Sequence, residues 1–170
     1  FGVACGMTGW SAKRLVSEGI EFDSVTVKEN HHAGYYPGAR PLTLRVLASK
    51  ADGRILGAQA SGCEGVDKRI DVIATAMAAG MKVADLADLE LSYAPPFGSA
   101  KDVVNLAGMA AENTADGLLR QVSTLPAPTE AQIVDVRPAA AFAAKPLPGA
   151  VNIPLAELRR RMGELDRSRP

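Results

Sequence analysis

The fold of this chain is decided by Leu42-Thr-Leu-Arg-Val-Leu-Ala-Ser-Lys-Ala-Asp-Gly-Arg-Ile-Leu-Gly-Ala-Gln-Ala-Ser61. Leu42, Leu44 and Val46 alternate with Thr43 and Arg45, and a period of two puts one set on a buried face and the other toward solvent. Asp52-Gly53 supplies the turn, because a tight hairpin needs positive φ and Gly takes it freely. Arg54 to Ser61 is then the returning strand of an antiparallel hairpin. Gly57 and Gly62 either weaken that strand or admit another backbone at close range.

On the N-terminal side of the hairpin, Phe22 to Glu29 carries Val25 and Val27 on one face and reads as a further strand. Phe1 to Cys5 reads as the tail of another. Between them Ser11 is a candidate N-cap of a short helix, with Trp10 packed on Leu15 as a hydrophobic staple and Gly19 as the stop. His31-His-Ala-Gly-Tyr-Tyr-Pro-Gly38 is a loop. Neither histidine has a ligand partner at metal-site spacing, so no metal is expected.

On the C-terminal side, Val66, Ile70, Ile73, Ala74 and Met77 recur at helical spacing up to Ala79, and Gly80 ends the run. Val83 to Leu89 adds one or two helical turns. Tyr93 then stands just ahead of Pro95-Pro96, which fix φ and remove two backbone donors, so this run is neither helix interior nor central strand. Such a stiff loop either connects, with the Tyr93 hydroxyl satisfied locally, or presents Tyr93 to something outside the chain. Ser99-Ala-Lys-Asp102 matches the S-x-x-[DE] capping signature. The helix after it is expected to bury Val103, Leu106, Ala107 and Ala110, to reach roughly Glu112, and to continue with a turn at Leu118-Leu119. Gly108 in its interior costs about 1 kcal/mol, which packing must justify. Strands first and helices after them give an α+β domain over residues 1–122, an antiparallel sheet with helices packed on it.

Residues 123–131 contain two prolines and read as a linker. Beyond it Ile133-Val-Asp-Val-Arg137 is a short parallel-type strand, Pro138 to Ala144 a helix, and Ala150 to Ile153 a second strand. Leu155 to Leu165 is a charged helix with Leu158 and Met162 inward. Residues 132–170 are therefore an incomplete α/β segment, with too few strands to close a core.

Composition excludes several classes. With 47% hydrophobic and 22% charged residues, the chain has the make-up of an ordinary soluble globular protein. Its net charge of zero gives no footprint for nucleic acid or an anionic membrane surface. No long apolar window and no signal peptide are present, and a cytoplasmic location is expected. Cys5 and Cys63 form no disulfide framework and read as reduced structural thiols. Cys63 precedes a helix but has no visible partner base, and it is given no catalytic role. Arg159-Arg160-Arg161 reads as a solvated face. No G-x-G-x-x-G, P-loop, H-E-x-x-H or G-x-S-x-G occurs. A complete catalytic apparatus is lacking, and the opening Phe1-Gly2-Val3 reads as the start of a piece of a longer protein.

Three motifs occur in order: Tyr35-Tyr-Pro-Gly-Ala39, Glu64-Gly-Val-Asp-Lys-Arg-Ile-Asp71, and Tyr93-Ala-Pro-Pro-Phe-Gly-Ser-Ala-Lys-Asp102 running on to Gly108-Met-Ala-Ala-Glu-Asn113. With them residues 1–120 resemble the C-terminal dimerisation domain of FAD-dependent pyridine nucleotide-disulfide oxidoreductases, in the coenzyme A-disulfide reductase and NADH oxidase branch. The resemblance implies FAD and NAD(P)H domains upstream together with a single redox cysteine, and a homodimer in which the Tyr93 loop reaches the partner's flavin. It makes Tyr35 and Tyr93 the catalytic pair and puts Tyr36, Ala94, Pro95, Pro96 and Phe97 at the cofactor. Glutathione- and lipoamide-type members place a His-Pro-Thr segment there, with the His as proton donor; this sequence has Tyr93-Ala94-Pro95-Pro96. A tyrosine of pKa about 10 is a neutral donor near pH 7, able to protonate the thiolate as coenzyme A leaves a mixed disulfide.

Ile133-Val-Asp-Val-Arg137, Pro148-Gly-Ala-Val-Asn-Ile-Pro154 and Leu155-Ala-Glu-Leu158 look like the opening third of a rhodanese domain, with Lys145-Pro-Leu147 in place of the usual Gly-His-Ile. The cysteine loop of a rhodanese would follow beyond Pro170. The resemblances together imply the C-terminal part of a flavin-dependent reductase that uses NAD(P)H to reduce coenzyme A disulfide or a related persulfide. An NADH oxidase with oxygen as acceptor and a purely structural dimerisation module are the alternatives. Alone, the fragment is expected to hold no FAD tightly and to be inactive.

Overall fold

The computed structural model describes residues 2–122 and 124–169. Expectations involving Phe1, Ser123 and Pro170 lie outside the described residues at those three positions. The chain forms two compact units, Phe1–Gln121 and Val122–Pro170.

In the first unit the hairpin is β3 (Pro41–Ser49) and β4 (Ile55–Gly62). With β1 (Ala4–Gly9) and β2 (Phe22–Asn30) it makes a four-stranded sheet of order β1-β4-β3-β2, antiparallel throughout. Leu42, Leu44 and Val46 are fully buried while Thr43 and Arg45 are half-buried, the alternation expected from sequence. Helix α1 (Ala12–Ser17) begins where Ser11 Oγ accepts a bond from the Arg14 amide at 3.3 Å. The Arg14 guanidinium lies 4.2 Å from the centre of the Trp10 ring. Helix α2 (Val66–Ala78) packs over β1 and β4, and α3 (Val103–Ala115) over β2 and β3. The core between sheet and helices is built on Leu42, Leu44, Val46, Ile73, Val103 and Val104. Each such side chain contributes about 1.5–3 kcal/mol by leaving water.

Gly108 is explained by close packing. A Cβ there would run into the Leu86 and Ala87 backbone, in the 3₁₀ turn Ala84–Asp88. Asn105 secures the same contact, its Nδ2 donating to the carbonyls of Leu86 at 3.0 Å and Leu89 at 2.9 Å. Gly57 likewise leaves room for the Trp10 backbone, as its place in the strand suggested.

Several sequence expectations need correction. Strand β1 does not stop at Cys5 but runs to Gly9; Gly6 and Gly9 hide its alternation, whereas pairing with β4 from Ala4–Gly62 to Gly9–Gly57 sustains it. The N-cap of α3 is Asp102, not Ser99. Its carboxylate accepts from the Val104 amide at 3.1 Å, and Asn105 Oδ1 accepts from the Asp102 amide at 3.1 Å, which completes a reciprocal capping box. The buried face of α3 is Val103, Val104, Ala107, Gly108 and Ala111, while Leu106 and Ala110 are only half-buried. The 3₁₀ turn covers that flank as well as the sheet, which rotates the inward stripe. The helix extends to Ala115, and Leu118 beyond it is exposed instead of forming another helical turn, because Gly117 reverses the chain at φ +72°.

The second unit runs β5 (Ile133–Asp135), α4 (Ala139–Ala144), β6 (Ala150–Asn152) and α5 (Leu155–Arg161), and the two strands pair in parallel. Asn152 Nδ2 ties them at one end, donating to the Asp135 carbonyl at 2.8 Å and the Arg137 carbonyl at 2.9 Å. Leu158 is half-buried, but Met162 is exposed and not inward: the helix tightens into the 3₁₀ turn Met162–Glu164 and swings it off the packed face. Arg161 lies between Glu157 and Glu164, at 3.0 and 2.7 Å. Among the described residues, no helix is long and apolar enough to cross a membrane, and no group of three His, Cys, Asp or Glu residues could hold a metal ion.

Candidate functional site

Two loops of the first unit carry the tyrosines. The 31–40 loop closes at its neck, where the His31 amide donates to the Arg40 carbonyl at 2.9 Å and the Arg40 amide donates to His31 Nδ1 at 3.1 Å. The second loop turns at Pro95-Pro96, with the Phe97 and Gly98 amides both donating to the Ala94 carbonyl, at 2.8 and 3.1 Å. One backbone bond stitches the loops together: the Ala33 amide donates to the Gly98 carbonyl at 2.9 Å.

That stitch brings Tyr35 and Tyr93 together. Their hydroxyl oxygens are 3.0 Å apart although 58 residues separate them in sequence. Both rings are exposed, Tyr35 at 77% and Tyr93 at 48%. Their hydrogen bond, with smaller contributions from partial burial and from the nearby Tyr35 oxygen, raises the Tyr93 hydroxyl above the ordinary phenol value. Tyr93 therefore keeps its proton throughout the neutral range, and Tyr35 stands ready to bond whatever oxygen remains if that proton is given up.

The other residues expected at the cofactor fall into two groups. Phe97 is strongly exposed, on the turn after Tyr93 whose Ala94, Pro95 and Pro96 are half-buried. The Tyr36 ring meets buried His32 edge-on at 5.7 Å between centres. The structure thus joins Tyr35 with Tyr93, while Tyr36 packs on His32. None of these side chains carries a formal charge, and the cation on the turn is Lys68, whose Nζ donates to the Phe97 carbonyl at 3.4 Å.

Two residues behind the loops escaped the sequence reading. Arg69 of α2 is 2% exposed and pairs with Asp102, which is 3% exposed. Its Nε donates to Asp102 Oδ1 at 3.2 Å and its Nη2 to Oδ2 at 2.6 Å, a bidentate pair. A signal was present, since Arg69 falls on the apolar stripe between Val66 and Ile73, where a charge must have a partner.

The profile described as pyridine nucleotide-disulphide oxidoreductase, dimerisation domain, matches residues 1–105. The chain is 46% identical over 93 residues to a coenzyme A disulfide reductase of Staphylococcus epidermidis, a match covering 55% of this chain and 21% of that protein. Its fold is similar to reduced CoADR-RHD of Bacillus anthracis, with TM-score 0.93 and 43% identity over 99% of this chain and 31% of that one. It is also similar to an NAD-dependent persulfide reductase from A. fulgidus, with TM-score 0.89 and 33% identity over the same shares. The chain spans no more than about a third of the length of these relatives. The sheet with α2 and α3, the profile match and these relatives together mean that this chain belongs to the dimerisation-domain family of the pyridine nucleotide-disulphide oxidoreductases.

Proposed function

We propose that this chain is the C-terminal part of a homodimeric, flavin-dependent disulfide reductase acting on coenzyme A disulfide or a related persulfide, and that Tyr35 and Tyr93 act in the partner subunit's active site. The observation that carries this reading is the exposed pair of hydroxyls 3.0 Å apart on two loops stitched together. FAD and NAD(P)H would be held by parts of the protein outside this chain, and when bound they supply the two electrons that reduce the disulfide. The uncharged side chains of Tyr35, Pro95, Pro96 and Phe97 suit contact with a planar, largely apolar ring system, and Tyr36 and Ala94 would line its margin. Tyr93 donates its proton to the departing sulfur, and Tyr35 then donates a hydrogen bond to the phenolate oxygen left behind. The names of the coenzyme A disulfide reductase and persulfide reductase relatives support the choice of substrate class.

Residues 132–170 we read as the opening of a rhodanese-like domain, with 123–131 as the linker; the parallel β5–β6 pair joined through α4 supports this. The free cysteines Cys5 and Cys63 support a cytoplasmic location. Substituting Tyr93→Phe in the full-length protein removes the proton and little else. We expect kcat for disulfide reduction to fall about 100-fold or more with the dimer intact. Unchanged turnover by an intact dimer would instead favour a purely structural role for the loop.

A further inference from the structure

We infer that Arg69 is the positioning residue of the tyrosine pair, an inference that rests on the proton-donor reading of that pair. Its guanidinium bonds to both tyrosine-bearing segments from a third element, α2. Nη2 donates to the His31 carbonyl at 2.6 Å, at the entrance to the loop that carries Tyr35. Nε and Nη2 hold both oxygens of Asp102, which ends the segment carrying Tyr93 and caps α3. Nη1 donates to the Gly65 carbonyl at 3.3 Å, fixing the guanidinium against the start of its own helix. Rotating this fork breaks several bonds at once, so it fixes the spacing of the two loop bases and with it the 3.0 Å contact between the hydroxyls. A lysine cannot replace it, since a single nitrogen on a flexible stem does not span acceptors on three segments. Stability alone is a weak reason for this arrangement, because a buried ion pair is often no more stabilising than apolar residues of the same volume. What the pair supplies is geometry.

The test uses the full-length protein labelled with [13Cζ]tyrosine, its signals assigned through Tyr→Phe variants. Arg69→Lys is expected to lower the ionisation point of Tyr93 toward that of an ordinary phenol and to reduce kcat about 10- to 100-fold, with KM for NAD(P)H unchanged. Asp102→Asn keeps a capping side chain, loses the ion pair and should move both readouts the same way; it carries the test alone if Arg69→Lys fails to fold. The inference is overturned if the folded variants melt earlier yet leave Tyr93 ionisation and kcat where they were. A wild-type kcat for Tyr93→Phe would sink the proton-donor reading instead, and the Tyr93 ionisation in Arg69→Lys would still decide the positioning claim.

Discussion

The two units of this chain are stabilised by different means. The first encloses a continuous core between a four-stranded sheet and two helices, with Leu42, Leu44, Ile73 and Leu86 wholly out of water. In the second, Ile153 is the one hydrophobic side chain among the described residues that is fully buried, and the strand pair is held by polar contacts of Asp135, Arg137 and Asn152. A two-stranded sheet with so little apolar burial is marginal in water. The first unit can therefore bear the cost of a buried ion pair and two stiff loops, and that is where the candidate site lies. Precise placement of exposed side chains requires a core that the second unit, as described, does not have.

Core truncation should separate the units most sharply. Ile73→Ala is expected to destabilise the first unit by about 2–5 kcal/mol, measured by urea denaturation. Ile153→Ala should abolish amide protection in β5 and β6 while leaving the slowest amides of β3 and β4 unchanged. Loss of protection in β3 after Ile153→Ala would break the comparison, because the units would then unfold as one.

A smaller effect concerns pH. The hydrogen bonds and charge of Arg137 hold the Asp135 carboxyl below its usual value. A carboxylate depressed by folding stabilises the native state above its unfolded pKa, about 3.9, and that contribution is lost as pH falls through the lower folded value. Protection of β5 and β6 should therefore decline in acid before that of β3 and β4, and Asp135→Asn should remove this step. Smallest in energy is the tyrosine contact itself. Tyr35→Phe should lower the ionisation point of Tyr93 toward that of an ordinary phenol with no measurable change in unfolding. If Tyr93 titrates unchanged, the hydroxyl contact does not persist in solution.

The sheet and helices were legible because their signals are local: alternation in Leu42–Val46, the turn at Asp52-Gly53, helical spacing from Val66 to Met77. The start of α3 was not, since both Ser99 and Asp102 satisfy local capping rules; Asp102 forms the box with Asn105 and is also held by Arg69, 33 residues away. For the same reason β1 was cut short, as a glycine-containing strand is defined by its neighbour β4 and not by its own side chains. Motif resemblance brought out Tyr35 and Tyr93. Their joining involves long-range contacts that no spacing rule reports, the Ala33–Gly98 backbone bond and the bonds of Arg69 among them.

The central claim, that the tyrosine pair serves the other subunit, is tested most directly by mixing two disabled full-length proteins. One carries Tyr93→Phe, and the other lacks the redox cysteine that the resemblance places upstream. After subunit exchange each mixed dimer has one site with an intact cysteine from one chain and an intact Tyr93 from its partner. Recovery to about a quarter of wild-type turnover is expected, since half the dimers are mixed and each has one working site of two. No recovery in a preparation shown to contain mixed dimers would contradict the claim.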